Sequence, residues 1–126
     1  AMKQRDSIKK LIAEHLVRWG IPTAASIIEA RSVSNELVII GSGGIRTALD
    51  ALKALRLGAD LIGMARPVLL AYKERVLREY ILSFIKALSI AFMLSGAKEI
   101  AELRSKPIII VGTLKEWIHS RNLRVP

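Results

Sequence analysis

Residues 37–70 carry the pattern that most restricts the fold. Leu37-Val38-Ile39-Ile40 is a short, continuous apolar run, as expected of a strand covered on both faces. Gly41-Ser42-Gly43-Gly44 breaks it sharply. Thr47 to Leu57 then has helical spacing, with Leu49, Leu52 and Leu55 on one side and Gly58 placed to end the helix. Asp60-Leu61-Ile62-Gly63-Met64-Ala65 is a second apolar run. Pro67 opens another helix near its first turn, where a missing N–H costs nothing. Strand, glycine-rich turn, helix, strand, turn, helix predicts a parallel sheet with a right-handed crossover.

The flanks add helices and two extended segments. Residues 6–19 place Ile8, Leu11, Ile12, His15, Leu16 and Trp19 on one helical face, with Lys9, Lys10, Glu14 and Arg18 mostly elsewhere. Gly20-Ile21-Pro22-Thr23 follows as a short strand or extended turn, and Ala24–Arg31 as a short helix. Residues 72–94 read as one long helix, with Val76, Tyr80, Phe84 and Leu88 on its apolar side. Residues 97–104 read as a further short helix and Pro107-Ile108-Ile109-Ile110-Val111 as a strand. Thr113-Leu114-Lys115-Glu116 has the pattern of a capping box opening a last helix to about Arg121.

Length sets an upper bound. With 126 residues the chain reads as one domain and falls short of a complete eightfold βα barrel, which takes about 250 residues. Lys and Arg number 20 against 11 Asp and Glu, for a net charge of +9, which favours phosphate-bearing or other anionic partners. Aromatics are 5%, too few to suggest single-strand nucleic-acid binding by stacking, so nucleic acid is not the expected partner. Without cysteine there is no disulfide, thiolate catalysis or thiolate metal site. The N-terminal residues lack an apolar signal core, and Ala1 before Met2 reads as an added residue. The greasiest stretch, 87–94, is too short to span a bilayer. A soluble, cytoplasmic protein is the expectation.

The candidate site lies in two turns. Ser42-Gly43-Gly44-Ile45-Arg46-Thr47 joins the first strand to its helix, and glycines there let a backbone approach a ligand closely. Met64-Ala65-Arg66-Pro67 joins the second strand to the next helix. Each turn offers a helix N-terminus, with its unpaired N–H groups and positive dipole end, and one arginine. Parallel neighbouring strands would set the turns side by side, so that one phosphate takes hydrogen bonds from both. The bland alternative is a tight turn with two solvated arginines. Other candidates are weaker. His15 and His119 stand apart from any metal-ligand spacing, His15 reading as a core or interface residue. Glu99 and Glu102 read as a solvated face. Ser26, Ser32 and Ser34 have no base in a recognisable motif.

Three segments resemble a known family, the type 2 isopentenyl diphosphate isomerases. They are Trp19-Gly20-Ile21-Pro22-Thr23-Ala24, the Gly43-Gly44-Ile45-Arg46 turn, and Gly58-Ala59-Asp60-Leu61-Ile62-Gly63-Met64-Ala65-Arg66-Pro67. The ending Gly112-Thr113-Leu114-Lys115-Glu116-Trp117 is similar too, so the likeness runs from about Leu16 to Arg121. The resemblance implies a TIM barrel that holds FMN and interconverts two prenyl diphosphates with Mg²⁺ and reduced flavin. It implies that Thr23 contacts the flavin, that Gly43, Gly44, Ile45 and Arg46 surround the FMN phosphate on one loop, and that Ala65 and Arg66 do so on the next.

On that likeness the fold expected is α/β, a partial (β/α)8 barrel in which residues 1–126 supply the last three βα units and a C-terminal helical extension. The function expected is the FMN-phosphate-binding part of an isopentenyl diphosphate isomerase, incomplete by itself. The family's catalytic glutamine, its Mg²⁺-binding glutamate and its NADPH requirement point to regions outside this sequence, so no catalytic or metal-binding residue is expected here. An arc of barrel exposes sheet edges and apolar faces, so a homo-oligomer or a missing N-terminal part is expected to cover them. Two alternatives stay open: an arc of another FMN barrel such as a hydroxyacid oxidase, and a non-enzymatic basic module binding a polyanion.

Overall fold

The computed structural model describes residues 2–17 and 19–126. Ala1 and Arg18, one expected as an added residue and the other on the polar side of the first helix, lie outside the described residues. The elements run α1 (Met2–Leu16), α2 (Thr23–Val33), β1 (Ile40–Ser42), α3 (Ala48–Arg56), β2 (Leu61–Gly63), α4 (Arg66–Lys73), α5 (Leu77–Leu94), α6 (Ile100–Ser105) and α7 (Gly112–Ser120).

The predicted parallel pair is present, but its first strand is displaced: of the expected 37–40 only Ile40 is paired, while Gly41 and Ser42, expected to break the strand, belong to it. β1 and β2 run parallel, with Ile40 opposite Leu61, Gly41 opposite Ile62 and Ser42 opposite Gly63. The helix between them, α3, packs on both strands and on α5 and α6. The core gathers Ile27 and Ile28 of α2, Ile45, and Ala51, Ala54, Leu57 and Ala59 in and after α3. Ile108, Ile110, Leu114 and Ile118 pack against it from the C-terminal side. Gly41 is glycine for a packing reason: a Cβ there would lie 3.0 Å from the Ala59 Cβ and 3.1 Å from Ile27 Cδ1.

The expected arc of three βα units is not what these residues build. The described residues are mostly helical, and their sheet has two strands of three residues each. A strand exists only where a neighbour accepts its N–H groups and donates back. Residues 20–22 and 107–111 have no pairing neighbour among the described residues and remain extended chain. Pro22 moreover has no N–H to donate. The sheet is therefore open, with no barrel closure, and one of its faces is uncovered: Ile40 and Leu61, cross-strand partners, are both more than half exposed.

Other boundaries moved for local reasons. The long helix expected over 72–94 is present as α5 but starts later, at Leu77, because the helix opened at Pro67 runs on to Lys73. Arg75 sits between them at φ 60, with its N–H on Tyr72 O and the Val76 N–H on Ala71 O, a Schellman-type ending of α4. The capping box expected at 113–116 does not form: α7 already starts at Gly112, and its N-cap is Val111, with no side-chain cap. His15, expected in a core or interface, is exposed on α1.

A charged cluster fastens the elements behind the sheet. Arg31 of α2 is buried, and its guanidinium donates to Gly58 O (3.0 and 2.8 Å), Asn35 O (2.8 Å) and the Asp60 carboxylate. Arg104 of α6 donates to Ala59 O (2.9 Å) and the other Asp60 oxygen (2.8 Å). The Ile39 amide donates to Asp60 as well, at 2.9 Å. That amide first, then the two guanidiniums, hold the Asp60 carboxyl down to about 2.

Candidate functional site

The strand register decides the geometry. Because Ser42 lies opposite Gly63 in a parallel pair, both strands end at the same edge, and both following turns leave from there. Between them opens a cleft of about 560 Å³, lined by residues 42–46, 63–67 and Leu70. Gly43, Gly44, Ile45, Arg46, Ala65 and Arg66 all line it. Thr23 does not; it stands behind the first turn, where its hydroxyl donates to Gly43 O at 2.8 Å.

The first turn needs its glycines. Gly43 has φ 98 and Gly44 φ 76, in the left-handed region that side chains resist. A Cβ on Gly43 would also meet Thr23 Oγ1 at 2.9 Å, whereas one on Gly44 would meet nothing within 4 Å. Ile45 turns its side chain into the core and anchors the loop. Arg46 and Arg66 are exposed, and among the described residues neither joins an ion pair.

The two helix starts differ, which sequence reasoning did not foresee. At α3, Thr47 and Asp50 form a full capping box: Asp50 N–H donates to Thr47 Oγ1 (3.2 Å) and Thr47 N–H to Asp50 Oδ2 (2.9 Å). The Arg46 amide also donates to Asp50 Oδ2, at 3.1 Å. These bonds, the Thr47 amide foremost, lower the Asp50 carboxyl below its ordinary value. At the α3 terminus, expected to offer free amides to a ligand, the chain's own Asp50 carboxylate thus takes the Arg46 and Thr47 amides. At α4 there is no side-chain cap, and Pro67 brings no N–H, so the first-turn donors are the amides of Arg66 and Val68.

Two neighbours of the site escaped the sequence reading. Asp50 had a signal, since Thr47-Ala48-Leu49-Asp50 is itself a capping-box spacing. Tyr80 of α5 reaches both turns, with its hydroxyl 3.4 Å from Arg46 O and 3.9 Å from Met64 Sδ. Its only sequence signal was a polar tip on an otherwise apolar helix face. Among the described residues no group of three or more His, Asp or Glu could hold a metal ion, and no helix is long and apolar enough to cross a membrane.

Comparison with known proteins places this geometry in a family. Residues 20–110 match the FMN-dependent dehydrogenase family, a span that holds both turns and the sheet. The chain belongs to the FMN-dependent dehydrogenase family. Within its range, the chain is similar to proteins called isopentenyl-diphosphate delta-isomerase. It is 47% identical over 122 residues to the one from Methanocaldococcus jannaschii, covering 94% of this chain and 33% of that protein. It is 46% identical over 123 residues to the one from Pyrobaculum islandicum (98% and 34%), and 42% over 126 to the one from Sulfurisphaera tokodaii (97% and 34%). The chain spans about a third of the length of these curated relatives. The likeness of sequence read at the outset therefore stands at family level across most of the chain.

The function first expected does not stand as framed. It made residues 1–126 an arc of barrel wall serving as the FMN-phosphate-binding part of an isopentenyl diphosphate isomerase. The open two-stranded sheet has no closed barrel of the kind an FMN-binding catalytic domain is expected to have. The hydroxyacid-oxidase alternative assumed the same wall and is corrected with it.

Proposed function

We propose that the cleft between the two turns binds a phosphate monoester, and that the flavin mononucleotide implied by the family is the molecule that carries it. The observation that supports this most is the parallel register, which brings two separate strand-to-helix turns onto one cleft. The lining offers donors suited to a phosphate: the amides of Gly44 and Ile45 on one side and that of Arg66 on the other, with the Val68 amide just beyond it in the first turn of α4 and Arg46 and Arg66 supplying positive charge. Gly44 leaves open space where any other residue would set a side chain. Thr23 and Gly43 fix the turn's shape through their hydrogen bond. FMN, when bound, supplies redox and acid–base chemistry at its ring; the residues here bind and orient its phosphate end. Sites for Mg²⁺, NADPH or a prenyl diphosphate are not assigned to this chain.

The test is a fluorescence titration with FMN and with riboflavin, which has the same ring and no phosphate. Charge-assisted hydrogen bonds make FMN the tighter ligand by about tenfold or more. Gly44→Val, checked for folding by circular dichroism, abolishes FMN binding. Equal affinity for FMN and riboflavin, or a folded Gly44→Val variant that binds FMN as well as the parent, overturns the reading.

A further inference from the structure

One side chain outside the cleft bonds to both turns that line it. We propose that the Tyr80 hydroxyl is a positioning group: it sets the spacing of the two turns, and so decides how well they close on one phosphate. The inference rests on the phosphate reading above and names a residue that the ligand itself does not touch.

The helix that carries Tyr80, α5, packs on α3 and on α4, the two helices that start at the cleft. Tyr80 stands in the first turn of α5, part-buried, with its ring tilted against Phe84 at 6.3 Å between centroids. From there its hydroxyl lies 3.4 Å from Arg46 O and 3.9 Å from Met64 Sδ, and Arg46 and Met64 line the cleft from opposite turns. The single hydroxyl proton is shared between a carbonyl, the stronger acceptor, and a thioether, the weaker one. The peptide joining Arg46 to Thr47 is thereby held at both ends, its N–H on Asp50 Oδ2 at 2.9 Å and its C=O on Tyr80. Past the last paired residues, Ser42 and Gly63, no other side chain among the described residues bonds to both turns. Spacing matters because N–H···O bonds work over a donor–acceptor window of only about 0.5 Å. When one turn drifts, a phosphate keeps its bonds to the other turn and loses part of the set, so a pre-set spacing strengthens binding. A ligand without a phosphate does not read that spacing.

Tyr80→Phe keeps the ring and every charge of the site and removes only the hydroxyl. Parent and variant are titrated by fluorescence with FMN and with riboflavin, and the melting temperature of each is measured. For Tyr80→Phe, FMN affinity falls about three- to tenfold, the effect of one hydrogen bond, while riboflavin affinity changes less than about twofold. The preference for FMN over riboflavin therefore shrinks. A purely structural role instead moves both flavins together, in step with melting temperature. Equal losses for the two flavins, an undiminished preference for FMN, or a Tyr80→Phe chain that fails to fold overturns the inference. A parent protein that binds FMN no better than riboflavin refutes the phosphate reading and this inference with it. A parent that prefers FMN, with a Tyr80→Phe variant that prefers it as strongly, refutes the inference alone.

Discussion

At the residue scale, one added atom or one lost charge is enough to change stability at particular positions. Gly58 has φ 119, and a Cβ there would meet Arg31 Cβ and Cγ at 3.0 Å. Gly58→Ala should therefore cost about 2–3 kcal/mol, through left-handed strain and displacement of a buried guanidinium. Thermal unfolding of the variant measures this as a lowered midpoint. Asp60 sets a pH dependence whose sign is fixed. Its folded carboxyl is held down to about 2, below the unfolded value near 3.9, so its stabilisation is complete above that value and is lost as pH falls through the folded one. Urea unfolding between about pH 5 and pH 2 should show stability falling, and Asp60→Asn should flatten that slope. It should not abolish it, because Glu29, Asp50 and Glu102 are shifted in the same direction. The glycines of the first turn were legible because positive φ has few other solutions. The role of Asp60 was not, since its partners Arg31 and Arg104 lie 29 and 44 residues away.

At the element scale, periodicity placed α3 and β2 but set β1 about two residues too early and misjudged where elements stop. The βαβα order was readable because each apolar run is bounded by glycine or proline. The position of the break between α4 and α5, expected before residue 72 and found at 74–76, was not, because its left-handed residue is Arg75 rather than glycine. That suggests its own test: Arg75→Gly should raise stability by about 0.5–1 kcal/mol, seen as a higher melting temperature. A drop would mean that the arginine side chain stabilises more than its backbone conformation costs. The apolar run at 107–111 looked like a strand because composition reports burial and not pairing; Ile108 and Ile110 do pack against the core, without a ladder. Two capping-box patterns were present, at 47–50 and 113–116, and only the first formed. The second failed because α7 begins two residues earlier, with Val111 as its N-cap, which places Thr113 inside the helix.

At the scale of the whole molecule, the exposed surface is 9880 Å², against about 6,700 Å² expected for a compact monomer of 13.9 kDa. Ile8, Leu11, Ile12 and Leu16 of α1 and the Ile40–Leu61 sheet face contribute apolar area to that excess. Concentration-dependent association in sedimentation velocity, with strong binding of a hydrophobic dye, is the expected behaviour. A monomer at all concentrations that leaves the dye unbound would contradict the open architecture. The site itself depends on little of this, since both turns are fixed by one short parallel pair and the helix between. Its most direct test is residue-resolved: an amide ¹⁵N–¹H NMR titration with FMN. The expected result is that the amides of Gly44, Ile45, Arg66 and Val68 shift together along one binding curve, while those of Arg46 and Thr47, bonded to Asp50, shift less. Shifts confined to one turn, or scattered over the basic helix faces, would contradict the claim that two turns hold one phosphate.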